Sequence, residues 1–246
     1  SLQEISTIGE TTISIEGERK HATIMFSDIS GYTKMTESLD PEEVKDILSL
    51  VFAKMNEIIK SYDGFVEKYI GDAVMAVFGV PIAHEDDPIR AIRAAIEMNA
   101  EIEALNPQLE DRIGQPLTLH TGINTGLIVT GEVDVNKGTH GLAGDAINLA
   151  SRLQGIAKAG EIIVGPETYN QAQNHFVFET LNPTMVKGKT KPVSICKLIA
   201  TKEMPDKLHR IKGVKAELIG RDKEIATLLK AVEHLQKGYG SLVQII

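Results

Sequence analysis

"GFVEKYIGDAVMAVFG", residues 64–79, holds two short β-type runs on either side of Gly71-Asp72. Apolar runs of this length around a two-residue turn predict a β-hairpin. Upstream, Asp40-Pro41-Glu42-Glu43 combines a helix cap, a first-turn proline and a glutamate three residues after the cap, which predicts a helix start. Val44, Ile47, Leu48, Val51, Phe52, Met55, Ile58 and Ile59 then recur at spacings of three and four, an apolar stripe along one helix face. Gly64 is the expected stop. Before this helix, "HATIMFSDI" predicts a central strand over 21–29.

Downstream of the hairpin, Asp87-Pro88 is expected to cap a second helix running to about Leu105, with Ile89, Ile92 and Ile96 on its inner side. A polar, proline-containing loop then leads to "LTLHTGINTG" and "IVTGEV", read as two strands. Strand, helix, hairpin, helix, strand is the order of an α+β, ferredoxin-like βαββαβ core, with a largely antiparallel sheet and helices on one face. The C-terminal additions are a third helix at "GDAINLASRL" capped by Asp145, a strand at "EIIVG", and then a short helix, a strand near "FVFETL" and a final hairpin through "VKGKTKPVSICKLI". Residues 1–20 read as a lead-in with one strand at "TTISI", 21–200 as the main domain and 201–215 as a charged linker carrying Pro205 and Gly213. Residues 216–246 hold a helix and the start of an apolar strand, the beginning of a further module.

The 246 residues carry a net charge of -8, with 42% hydrophobic and 24% charged residues. That balance fits a soluble globular chain and excludes a nucleic-acid binder that works by neutralising phosphates. No apolar run reaches the roughly 18 residues that span a bilayer, and no signal pattern opens the chain, so a cytoplasmic protein is expected. Cys196, the single cysteine, excludes an intrachain disulfide and reads as a small core residue.

Two carboxylates stand where chemistry is expected. In "IMFSDISGYT", residues 24–33, a buried strand ends on Asp28 and the chain turns through Ser30, Gly31 and Tyr32. Asp72 lies in the hairpin that neighbours this strand in a βαββαβ sheet. Unpaired carboxylates held together repel, and they bind a cation or share a proton. Mg²⁺ or Mn²⁺ suits such a site, because these ions take one or two carboxylates plus substrate phosphates. Backbone N–H groups of the "ISGYT" turn would cradle a triphosphate.

"FSDISGYT", "EKYIGDAVMAVFG" and "GDAINLASRL", in this order and spacing, resemble the class III nucleotidyl cyclase catalytic domain, the family of adenylyl and guanylyl cyclases. The resemblance covers residues 21 to about 200. It implies a head-to-tail homodimer with composite active sites, each binding ATP and two Mg²⁺ or Mn²⁺. By motif, Asp28 and Asp72 resemble the metal aspartates, with the Ile29 backbone beside them, while Ser30, Gly31, Tyr32 and Thr33 form the triphosphate turn. Lys68 matches the lysine that reaches the purine in ATP-selective members. Asn148 and Arg152 match the pair that orients the ribose and stabilises the pentavalent phosphate, and i, i+4 spacing puts both on one helix face. Lys187 resembles a lysine placed on the triphosphate, and Lys189 is an equal candidate.

Two positions depart from the family pattern. Where members place an Asp or Thr to accept from the adenine amino group, this chain has Gly141, with Thr139 close by. His120 stands where many members have a triphosphate-binding arginine, and it reads as a satisfied strand histidine. The tail from 216 resembles the entry to a P-loop ATPase module in a longer signalling protein, although the phosphate loop G-x-x-x-x-G-K-[ST] does not occur within the chain. The expected activity is closure of ATP to 3′,5′-cyclic AMP and pyrophosphate. The alternatives are a regulatory cyclase-homology module controlling an attached ATPase, and a guanylyl cyclase.

Overall fold

The structure, a computed structural model, describes residues 18–130, 141–183, 185, 192–202, 222–236 and 238–240. Its elements in chain order are β1 (Glu18–Ser30), α1 (Tyr32–Ser38), α2 (Pro41–Ser61), β2 (Gly64–Ile70), β3 (Ala73–Phe78), α3 (Asp87–Ile113) and β4 (Thr118–Thr130). These are followed by β5 (Leu142–Ala143), α4 (Asp145–Ile156), β6 (Ile162–Val164), α5 (Pro166–Ala172), β7 (Phe176–Thr180), β8 (Cys196–Thr201) and α6 (Asp222–Gln236). The strands form one eight-stranded sheet in the order β2-β3-β1-β4-β6-β8-β7, with β5 paired to β4. The expected βαββαβ core is present as β1, α2, β2, β3, α3 and β4. All its strand pairs are antiparallel, and only β4 with β6 runs parallel.

β1 is buried on both sides, and its alternating residues feed two cores. Met25 and Ile29 pack with Ile47, Val51 and Met55 of α2 and Ile92 and Met98 of α3. Ile24 and Phe26 pack with Met75, Val77, Ala146 and Ala150 on the opposite face. Helices therefore cover both faces of the sheet, not one as the sequence suggested, because α4 lies opposite α2 and α3. Gly122 and Gly126 of β4 permit that close approach: a Cβ on Gly122 would lie 2.4 Å from the Ala150 carbonyl oxygen, and one on Gly126 would lie 3.0 Å from Ala146 Cβ.

Those glycines also explain why "LTLHTGINTG" and "IVTGEV" are one continuous strand over 118–130 and not two. They lie under a helix and do not mark turns. The second helix ends not near Leu105 but at Ile113, running through Pro107 to a left-handed Gly114. Buried Leu109 and Ile113 hold its last turns on the core, and the Asn106 amide bonds both backbone groups of Leu117 at 2.9 and 2.8 Å. Helix α1 was not expected; it occupies the segment after the Ser30-Gly31 turn.

Of the expected caps, Asp40 stands at the N-cap of α2, while Asp87 and Asp145 are the first residues of their helices. Asp40 and Asp86 are N-caps with no side-chain cap hydrogen bond, and Glu43 pairs with Arg112. Asp87 is the first residue of α3 and accepts from the His84 backbone N–H at 2.8 Å. Gly144, not Asp145, precedes α4. After α2 the left-handed residue is Asp63 (φ 58°), not Gly64, which opens β2 where a Cβ would meet the Phe78 ring at 2.5 Å.

β8 pairs with β7. Residues 186–191 of the expected final hairpin, the "TTISI" strand and the apolar run at 241–246 lie outside the described residues. Cys196 is buried as expected, and burial pushes its thiol pKa up. The chain divides into two compact units, Ser1–Asp206 and Lys207–Ile246, the second containing α6. No helix among the described residues is long and apolar enough to cross a membrane.

Candidate active site

Asp28 lies near the end of β1 and pairs in register with Ala73 of β3 and His120 of β4. Asp72 immediately precedes Ala73, in the turn that Gly71 makes with φ 64°. The hairpin therefore delivers the second carboxylate beside the first, as the sequence predicts. Both are half-buried.

The surroundings of Asp28 are asymmetric. Gln154 of α4 donates Nε2–H to Asp28 Oδ2 at 3.1 Å, and His120 Nε2 stands 3.6 Å from the same oxygen. His120 is held from its other side by Ser30, with Oγ 2.9 Å from Nδ1. Asp28 Oδ1 is buried and has no hydrogen-bond partner. Its neighbour Asp72 has a pKa raised first by burial, against the pull of its own backbone hydrogen bond, and further by the adjacent Asp28 carboxylate. Two ionised carboxylates are both acceptors, so their contact becomes a hydrogen bond only when one of them holds a proton.

A buried oxygen without a donor, facing a second carboxylate, is the local signature of a cation site, since leaving such an acceptor unsatisfied costs about 1–3 kcal/mol. The donor set is all hard oxygen, which fits Mg²⁺ or Mn²⁺. Among the described residues no group of three or more His, Cys, Asp or Glu converges, so this pair is not part of a larger side-chain cage.

The remaining expected residues lie on several elements. Ile29 has a buried side chain in the α2/α3 core, which leaves its backbone as the part near Asp28. Of the expected turn, Ser30 ends β1, Gly31 makes the turn with φ 98°, and Tyr32 and Thr33 are the first residues of α1. Tyr32 is partly buried and packs against the core that α2 and α3 share. Lys68 is exposed on β2 and pairs in register with Met75, which puts it on the same sheet face as Asp28. Asn148 is exposed and Arg152 half-buried on α4, one turn apart. Neither bonds to Asp28 or Asp72 of its own chain. Lys187, Lys189 and Thr139 lie outside the described residues, and Gly141 is in the left-handed region with φ 56°.

Sequence reasoning missed Gln154. Its signal was available: Ala146, Ala150 and Gln154 recur every four residues, so a polar amide ends a small-residue stripe that faces the sheet. A glutamine on such a stripe needs a polar partner beneath it.

The chain matches the adenylate and guanylate cyclase catalytic domain family over residues 15–199. Adenylate cyclase 1 of Rhizobium meliloti is 30% identical over 185 residues, covering 74% of this chain and 28% of that protein. The rat guanylate cyclase soluble subunit beta-2 is 29% identical over 177 residues, covering 71% of this chain and 25% of that protein. The chain thus spans well under two thirds of the length of these relatives. The crystal structure of the adenylyl cyclase CyaB from P. aeruginosa superposes with a TM-score of 0.73 at 32% identity, covering 77% of this chain and 98% of that one. The guanylyl cyclase Cya2 gives a TM-score of 0.68, also at 32% identity, over 76% of this chain and 95% of that one. By this match, and by the fold and strand-end carboxylates that accompany it, the chain belongs to the adenylate and guanylate cyclase catalytic domain family.

Proposed function

We propose that this domain is an adenylyl cyclase that closes ATP to 3′,5′-cyclic AMP and pyrophosphate, working as a head-to-tail homodimer with composite sites. The observation that carries the proposal is the buried, unpartnered Oδ1 of Asp28 beside Asp72. Two repelling carboxylates are maintained at the same end of the neighbouring strands β1 and β3, an arrangement that favours a cation and disfavours a merely structural module.

Asp28, Asp72 and the Ile29 carbonyl would hold two Mg²⁺ or Mn²⁺. When bound, such a pair lowers the pKa of the ribose 3′-hydroxyl and neutralises triphosphate charge. The protein's own groups do the rest. The backbone amides of Ser30, Gly31, Tyr32 and Thr33, at the passage from β1 into α1, bind the triphosphate with Lys187. Lys68, contributed by the partner chain, donates to adenine N1. Asn148 and Arg152, from the partner chain, orient the ribose and meet the charge that develops on the α-phosphate. The 3′-oxygen attacks the α-phosphorus in line, forming one P–O bond as the bond to the β-phosphate oxygen breaks and pyrophosphate leaves. No side chain acts as a covalent nucleophile. Sharing between protomers is supported by α4, whose Asn148 and Arg152 do not bond to Asp28 or Asp72 of their own chain.

A guanylyl cyclase is the second reading, favoured by Gly141, which offers no side chain to accept from an adenine amino group. Product analysis with Mn²⁺ and either ATP or GTP tests both readings. Cyclic AMP forming faster than cyclic GMP is expected. The reverse order would favour the guanylyl reading, and no product from either nucleotide at high protein concentration would favour a regulatory module.

A further inference from the structure

The geometry points to Gln154 as a positioning residue: by binding Oδ2 of Asp28 from α4, its amide fixes the carboxylate so that Oδ1 is presented to a divalent cation. The inference rests on the metal reading above and adds to it a residue from another element.

Three observations carry it. The contact is directional, with Gln154 Nε2 3.1 Å from Oδ2 and nothing bonded to Oδ1. A carboxylate with one oxygen held has lost its rotational freedom, and the free oxygen points one way. Gln154 is itself placed rigidly, because the last turns of α4 sit on Gly122, where even a Cβ would lie 2.1 Å from the Gln154 backbone nitrogen. Finally, Gly122 pairs in register with Phe26, two residues before Asp28 on β1, so the same close approach that seats the helix brings residue 154 over the carboxylate.

His120 is the other group near Oδ2, but at 3.6 Å it lies beyond a good hydrogen bond, and Ser30 holds its far nitrogen. Gln154 is therefore the group that sets the carboxylate plane. Partners that orient a metal ligand in this way are typically worth about 10- to 100-fold in metal affinity.

The test is Mn²⁺ titration followed by the loss of the free-ion electron paramagnetic resonance signal, without nucleotide, on wild type, Gln154→Met, Gln154→Asn and Asp28→Ala. Methionine keeps the length and removes the donor, while asparagine keeps the donor and is one methylene too short. Both should raise the Kd for Mn²⁺ by about tenfold or more, with unchanged circular dichroism. Both should also raise the Mn²⁺ concentration needed for half-maximal turnover, with the rate recovering at saturating Mn²⁺, which a damaged fold would not allow. Near-wild-type Mn²⁺ affinity in both variants, while Asp28→Ala loses binding, would overturn the role of Gln154 and leave the metal reading standing. Wild-type affinity in Asp28→Ala would overturn the metal reading and this inference together. If the methionine variant fails to fold, the asparagine variant alone decides.

Discussion

A Cβ placed on Gly122 would lie 2.1 Å from the backbone nitrogen of Gln154 and 2.7 Å from the Leu153 carbonyl carbon. Both obstacles are backbone, so no side-chain rotation relieves the clash and the helix itself must move. Substituting glycine by alanine stabilises by about 0.4–1 kcal/mol through the unfolded chain where the site has room. Overpacking of this kind costs about 1–3 kcal/mol, so the clash should win. Gly122→Ala is expected to lower the urea midpoint. It should also lower cyclase activity by more than the folded fraction accounts for, because α4 carries Asn148, Arg152 and Gln154. A variant as stable and active as wild type would show that α4 has slack over β4.

How much of this was legible in the sequence follows from the range of each contact. The hairpin at Gly71-Asp72 and the stripe of α2 are local patterns, and both are found as read. The meeting of Asp28 with Asp72 follows from topology once βαββαβ is recognised. Gly122 and Gly126 misled because a glycine under a helix and a glycine in a turn are identical in sequence. The contact that distinguishes them comes from residues twenty or more positions away. Pro107 misled similarly: tertiary burial of Leu109 and Ile113 outweighed the break that a proline signals. The Gln154–Asp28 bond spans 126 positions, and only the small-residue stripe of α4 hinted at it.

Asp72→Asn retains the hairpin and removes one of the two charges offered to the cations. Turnover should fall by on the order of 10² or more, with circular dichroism unchanged. Near-normal turnover would mean that the paired carboxylates do not hold the reaction's cations.

The raised pKa of Asp72 has a stability consequence without divalent cations. Its native value lies above the ordinary 3.8, chiefly through burial. The native state therefore binds this proton more tightly than the unfolded state does. The resulting stability is fully present below the ordinary value and is lost as pH rises through the native one. In EDTA, Asp72→Asn should accordingly gain stability relative to wild type as pH is raised through that window, then hold a constant difference above it. Denaturant midpoints of the two proteins across pH check this. Wild type gaining on the variant with rising pH would contradict the sign.

In a composite site, Asp28 serves one active site while Arg152 of the same chain serves the other. Asp28→Ala and Arg152→Ala should then each be nearly inactive alone. A dimer of one with the other concentrates both defects in one site and leaves the second site intact. Random exchange makes about half of all dimers mixed, so about a quarter of all sites should recover, as two-fold symmetry requires. Differently tagged chains, purified through both tags, verify that mixed dimers have formed and raise the expected recovery to about half of the sites in that preparation. Verified mixed dimers without activity would show that each chain builds its site alone. The assignment of Lys68, Asn148 and Arg152 to the partner chain would then fail.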